Sequence, residues 1–234
     1  GFAIPEIRFN KVPEYGSDFY PADLPPSGED KPELGFENME YDMSVRGVFS
    51  GWDVSFYWAD VYSDASYLKQ LPDFSQVELA HANLKLYGAA VDVALGNWLL
   101  KAEVAHITGL KYFNTADETY SRTDVGAGIE FSGFSEAMLS LEVVQRHIHD
   151  YDDVLENEPD NLKRVSTQSA AMLTKTWLNE SLSLTILASA FGTDLKKGSL
   201  QRYELAYDIS DGLLVKGGWV AYQSGSTNGF NNIG

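Results

Sequence analysis

From residue 39 onward the chain repeats one pattern ten times. Apolar and polar residues alternate over about ten positions, a connection follows, and the alternation resumes. A period of two marks a strand whose two faces meet different surroundings. The stretch 43–60, MSVRGVFSGWDVSFYWAD, shows it plainly. Met43, Val45, Gly47 and Phe49 share one face, and Asp42, Ser44 and Arg46 the other. Beyond a Ser-Gly-Trp-Asp turn, Val54, Phe56 and Trp58 alternate with Ser55, Tyr57 and Ala59. This spacing predicts a β-hairpin. Candidate strands lie near 39–49, 54–63, 79–94, 98–109, 121–131, 137–149, 166–177, 182–192, 199–209 and 213–223.

Most of these segments exceed the ~5–6 residues usual in globular sheets and match the ~9–11 that a tilted membrane crossing needs. Short connections, SGWD (50–53), LGN (95–97), SGFSE (132–136), LNES (178–181) and SDG (210–212), alternate with long ones near 64–78, 110–120, 150–165 and 193–198. Short turns at one end and long loops at the other are the habit of up-and-down outer-membrane barrels. A Greek-key sandwich has no reason to sort its connections this way. The expected fold is an all-β, antiparallel up-and-down transmembrane β-barrel with about ten strands in this chain, either complete or part of a larger barrel. A soluble β-sandwich is the alternative.

Six of the eight prolines fall in residues 1–38 (Pro5, Pro13, Pro21, Pro25, Pro26, Pro32). That segment reads as extended and irregular, a loop or a plug; 39–223 holds the barrel strands, and 224–234 a terminal loop. There is no cysteine, which excludes disulfides and thiolate chemistry. The net charge of −17 argues against nucleic-acid binding, since the phosphate backbone would be repelled.

A charge facing lipid at mid-depth costs ~2–4 kcal/mol, so the charged faces are expected to line the lumen. The candidates are Arg46, Lys85, Lys101, Glu103, Glu130, Glu142, Arg146, Arg202, Glu204 and Lys216. Opposing charges there either tune a pore or pair and fill a narrow interior. Tyr41, Trp52, Trp58, Trp98, Phe131, Trp177 and Tyr203 suit interfacial girdles. Three residues break the pattern. Asp60 shares parity with Phe56 and Trp58 and is expected either at the outer rim or after a bulge. Asp92 shares parity with Leu84 and Leu86, which predicts a bulge near Gly88. Lys175 sits in a strand whose faces the pattern does not assign.

The leader AIPEIRFNKVPEYGSDFYP, then ENMEYDMSVRGVFSGWDVSFYWADVYSD, then WLLKAEVAH, resemble a class of uncharacterised proteobacterial outer-membrane proteins. The similarity covers about residues 3–110. It implies a large β-barrel of unknown function, often encoded beside RND-type export pumps and lipoprotein-like partners. Members are about twice this length, so the chain looks like their C-terminal half. Its end at NGFNNIG lacks the aromatic-terminated closing strand usual in such barrels.

The sharpest chemical cluster is HIHDYDD at 147–153. Asp150, Asp152, Asp153 and Glu156 offer oxygen ligands for a loop-bound Ca2+, or for divalent bridging to lipopolysaccharide phosphates. The plain alternative is a solvated acidic loop with interfacial histidines. No GxSxG or HExxH motif supports hydrolysis. The expectation is therefore a non-enzymatic barrel in the bacterial outer membrane, needing no cofactor for its function. Its surroundings would be outer-membrane lipid, lipopolysaccharide and envelope proteins. It would pass a small solute or hydrophobic compound through its lumen. A structural barrel acting through its acidic loops, or an outer-membrane hydrolase, are the alternatives.

Overall fold

The computed structural model describes residues 1–5, 7–11, 16, 27–33, 35–70, 77–115, 118–192 and 197–226. Among them are fourteen strands and three short 3-10 turns, with no α-helix. The strands are β1 (Phe2–Ile4), β2 (Glu29–Asp30), β3 (Glu40–Phe49), β4 (Trp52–Tyr62), β5 (Tyr67–Gln70), β6 (Val77–Ala80), β7 (Asn83–Leu95), β8 (Trp98–Leu110), β9 (Tyr120–Phe134), β10 (Ala137–Ile148), β11 (Val165–Trp177), β12 (Leu182–Phe191), β13 (Ser199–Ser210) and β14 (Leu213–Gln223). Eleven form one antiparallel sheet in the order β1-β3-β4-β7-β8-β9-β10-β11-β12-β13-β14. The other three, β2-β6-β5, form a small sheet.

All ten expected strands are present, and consecutive long strands pair with their sequence neighbours. The short connections all lie at one end and the long ones at the other. Trp52 and Asp53, expected in a turn, belong to β4, so the first hairpin turns on Ser50 and Gly51 alone. The expected strand 79–94 is divided: Leu79 and Ala80 close β6 of the small sheet, and β7 begins at Asn83. Part of the expected loop 64–78 is β5. Within the expected leader, Phe2–Ile4 pairs with Glu40–Asp42 at the sheet edge, and Glu29–Asp30 pairs in parallel with Leu79–Ala80. Most of residues 12–26, and 227–234 of the terminal segment, lie outside the described residues.

The large sheet is a single layer. Each long strand contacts only its ladder neighbours, and no second sheet of comparable size covers either face. Among the described residues β14 has no partner beyond β13, and β3 is paired beyond β4 only at its first residues, by β1. The sheet is open there, so the expected ring closure is not seen. Among the described residues ten hydrophobic ones are buried. Most of them cluster at the long-loop end: Ile7, Val77, Leu79, Ala80 and Ala82 around the small sheet, and Tyr120, Ile148 and Leu155 between the loops.

One bulge shapes that end. The β8–β9 register shifts between Thr108 and Leu110, with Gly109 between them at φ 93°. A side chain there would strain the backbone, and its Cβ would lie 2.1 Å from the Asn83 carbonyl oxygen. The extra residue turns Leu110 onto the opposite face from Thr108, level with Tyr120 and against the loop core. Gly109→Ala is expected to cost about 1–3 kcal/mol, read as a lower temperature for loss of the folded band in heat-modifiable gel migration. An unchanged transition would show that the bulge is not strained by a side chain.

Candidate functional site

Registers across the sheet assign every long-strand residue to one of two faces, because directly opposed residues project to the same side. One row runs Arg46, Ser55, Ala90, Glu103, Gly126, Val144, Gln168. The next same-face row runs Asp53, Asp92, Lys101, Gly128, Glu142, Ala170. Followed throughout, sixteen of the nineteen Asp, Glu, Lys and Arg residues in the long strands share this face, as ten acids and six bases. The opposite face carries only Asp60, Lys85 and Lys175. It also carries all five tryptophans, Trp52, Trp58, Trp98, Trp177 and Trp219.

The charged face is concave over β4 to β10. Tyr57, Ala90, Asp92, Lys101, Glu103 and Glu142 line a cavity of about 380 Å³. A second, of about 360 Å³, shares Tyr57, Ala90 and Glu103 and extends it to Asp124 and Arg146. Small residues make the room. A Cβ on Gly126 would meet the Glu103 side chain at 2.6 Å, and one on Gly128 would lie 3.3 Å from Glu142 Cγ. The glycines thus seat the two glutamates across the neighbouring strand.

Of the ten lumen candidates, nine lie on this face, and it brings most into contact. Arg46 donates to Asp53 at 2.9 Å; Lys101 bonds Glu130. Arg122 binds Asp124 through two nitrogens, at 2.7 and 2.9 Å, and Arg146 lies 3.7 Å from the same carboxylate. Glu204 takes Arg202 at 2.5 Å and Lys216 at 3.6 Å. Asp92, Glu103 and Glu142 have no ion-pair partner within 4.0 Å among the described residues. Asp124 belongs to the same surface, as the alternation placed it, and Asp92 does so without the bulge expected to bring it there; Asp53 and Arg122 belong to it although the alternation did not single them out. The register supplies what the pattern lacked.

Lys85 is the correction. It lies on the apolar face opposite Asp60, 3.9 Å from its carboxylate. Asn83 also donates to Asp60, at 3.0 Å. The pair sits near the long-loop end of β4 and β7, so Asp60 is at the outer rim as expected. No register shift occurs at Gly88. Asp92 is on the charged face because Leu84 and Leu86 are too, the former lining a covered cavity with Leu79 and Ala82 of the small-sheet region. Lys175 lies on the apolar face at the turn end. It donates to the Ser135 carbonyl at 2.5 Å, with Nζ 5.6 Å from the Trp177 ring.

The apolar face is exposed: Trp219 67%, Val45 60%, Phe56 57% and Val125 53%. Aromatics gather at its turn end. Phe49 stacks on Trp52 at 4.2 Å, Trp98 lies tilted against Phe131 at 4.3 Å, and Phe131 meets Phe134 edge-on at 4.9 Å. At the loop end, His106 Nδ1 and His149 Nε2 share the Thr123 hydroxyl at 3.0 and 2.7 Å, and His147 stacks on His149 at 4.9 Å. The acidic loop is engaged otherwise than as a ligand shell. Asp152 accepts from the Val154 amide at 2.9 Å, capping a 3-10 turn, and Glu156 pairs with Lys163 at 2.8 Å. Asp150, with φ 50°, occupies a turn. Among the described residues no group of three potential ligands, Asp153 included, is arranged to hold a metal ion. Burial, then the Glu156 charge, pushes the Tyr151 phenol up to about 12.

The small sheet is fastened over the loop end by polar contacts. His81, buried and stacked 3.7 Å from Phe9, faces two acceptors: the Ser63 carbonyl at 2.7 Å and Glu29 Oε1 at 3.0 Å. Glu29 also pairs with Lys31 at 2.7 Å. Lys69 joins Asp30 and Glu78 at 3.1 and 2.9 Å. Neither a family model nor a curated protein nor a solved structure matches the chain.

The Lys31 hydrogen bond, with help from His81 and against desolvation, holds the Glu29 carboxyl below its ordinary range. A depressed carboxylate contributes stability above its unfolded value of ~4.3 and loses it as pH falls through the folded value. The Leu79 amide, bonded to the Gly28 carbonyl at 3.0 Å, is therefore expected to keep its hydrogen-exchange protection down to about pH 4 and lose it below. Glu29→Gln should flatten that dependence; the same acid loss in the variant would place the switch elsewhere.

Proposed function

We propose that this chain forms an outer-membrane β-barrel of a Gram-negative bacterium, with the apolar face in lipid and the charged face lining an aqueous passage for small solutes. The observation that carries this reading is the sorting of charge: sixteen ionisable residues on one side of a one-layer sheet against three on the other. In water the apolar face would be a patch far larger than monomers tolerate. In hydrocarbon it is the favoured surface, and the three exceptions lie near strand ends, where long cationic side chains reach the interface. An open edge in hydrocarbon leaves backbone amides unpaired. The membrane form therefore has the β3 and β14 edges joined, to each other or to further strands of a longer barrel. The strands are antiparallel, as joining them requires. The resemblance in the leader and first hairpin points to the same class.

The passage is read as a pore without covalent chemistry. Lipopolysaccharide and envelope proteins would meet the long-loop end, outermost in such barrels. Ten acids against six bases favour cations. The ion pairs along the charged face support a second reading, an interior filled by its own charges, and conductance separates the two.

Two measurements test the proposal. With the protein refolded into bilayers, tryptophan emission should be strongly quenched by brominated acyl chains and little by aqueous iodide; the reverse pattern would remove the lipid-facing assignment. In planar bilayers the folded protein should give discrete, cation-selective steps. The double substitution Glu103→Lys and Glu142→Lys should move the reversal potential toward anions. Silence from correctly inserted protein would leave a structural barrel and end the pore reading.

A further inference from the structure

The long-loop end holds a cavity that the charged trough does not explain. It measures about 340 Å³ and is walled by Leu79, Leu84, Leu110, Tyr112, Phe113 and Leu162. Four separate pieces of chain build it: the small sheet, the start of β7, the segment after β8 and the loop after β10. The volume and the apolar wall are those of a small-molecule pocket. Its frame is fixed. Leu110 is turned inward by the Gly109 bulge, and Leu110, Tyr112 and Leu162 pack against the buried Tyr120, Ile148 and Leu155. Burial also raises the Tyr112 phenol.

Two charged residues reach this cavity, Lys111 and Asp160. They differ in what holds them. Asp160 accepts from the Phe113 and Asn114 amides at 2.9 and 2.8 Å, so both its oxygens are engaged in building the wall. Lys111 is half-buried and has neither a hydrogen bond nor an ion pair among the described residues. In a chain with twice as many acids as bases, a half-buried ammonium that no carboxylate pairs with, Asp160 being held by backbone amides, is the group left over for a ligand. Such a group binds an anion more strongly beside apolar surface than in bulk water.

We propose that this cavity binds an amphipathic monoanion, its apolar body between Leu84, Leu110 and Leu162 and its acid group on the Lys111 ammonium. As the place where a solute is first held, the idea rests on the pore reading; as a binding cavity it is tested without it. The probes are decanoate, decanol and decyltrimethylammonium, titrated calorimetrically against full-length protein held in amphipol, where no conductance enters the readout. Decanoate is expected to bind at one site per chain, about tenfold tighter than decanol, with the cation weaker still. Lys111→Met should remove the tenfold advantage and leave decanol unchanged. Ser66→Trp, which adds bulk from the cavity's rim, should weaken both. Equal affinity for the three probes, or a decanoate preference that survives Lys111→Met, would overturn the proposal. So would the absence of any saturable site in protein that still shows heat-modifiable migration. If channels form in bilayers while decanoate fails to bind, the pore stands and this inference falls; binding without conductance has the opposite meaning.

Discussion

Everything in this molecule depends on the strand pleat acting in a sheet one layer thick. Successive side chains go to opposite faces, and with no second large sheet to pack against neither face can bury itself within the chain. Each face therefore needs an environment of its own. At ~2–4 kcal/mol for a charge in mid-membrane, even a few misplaced charges would exceed the whole stability of a typical domain, ~5–15 kcal/mol. In the proposed membrane setting that cost would account for a segregation as strict as sixteen to three. It would also account for where the three exceptions lie, near strand ends beside Asn83, Trp177 and the long-loop end.

The ten long strands were legible in the sequence because a period of two, repeated over ten or more residues, has few competing explanations. The small sheet was not. Strands of two to four residues, such as Glu29–Asp30 and Val77–Ala80, carry too few positions to display a period, and their pairing joins segments about fifty residues apart. Its presence explains the misreading of β7. The rule that apolar means lipid-facing fails where protein covers the concave face. Leu84 there lies against the small-sheet region, so the polarity of the strand is inverted at that end, and Lys85 lies on the outer face. At Gly109 the parity is reset by one residue, a change that only the register reveals.

Within the trough the same restraint takes another form. Gly126 and Gly128 forgo side chains in the middle of a strand, at a propensity cost of about 0.5–1 kcal/mol each. In return Glu103 and Glu142 lie flat across β9 instead of projecting into the space above it. Arg46, Lys101, Arg122 and Arg202 are each held by a carboxylate. Most of the charge is thereby spent in fixed pairs along the walls. What remains is an excess of acid at Glu40, Asp42, Asp92, Glu103, Glu142 and Asp208, of which Asp92, Glu103 and Glu142 lie around one cavity. The candidate residues were identified from their type, but which of them are neutralised depends on partners two positions along the same strand or across the adjacent one, and so on the register.

In the proposed passage the two ends of the charged face would offer a solute different solvents. The long-loop end is an apolar chamber reached by Lys111 and by the amide-bound Asp160, and the trough is polar with a net negative lining. An amphipathic molecule held at the mouth would have to leave apolar walls to go further, while a small cation would find its attractive charges only deeper in. For the proposed passage, transit would need each site to bind weakly enough to release, and a chamber set apart from Asp92, Glu103 and Glu142 would meet that condition for both kinds of solute. The same arrangement makes the small sheet consequential. Through Leu79 it forms part of the chamber wall, and its own segments are cross-linked by the Lys69 pairs to Asp30 and Glu78 and by the His81–Glu29 contact, beside its buried apolar residues. These side-chain cross-links are tied to charge state, whereas the long strands are held by backbone ladders that do not titrate.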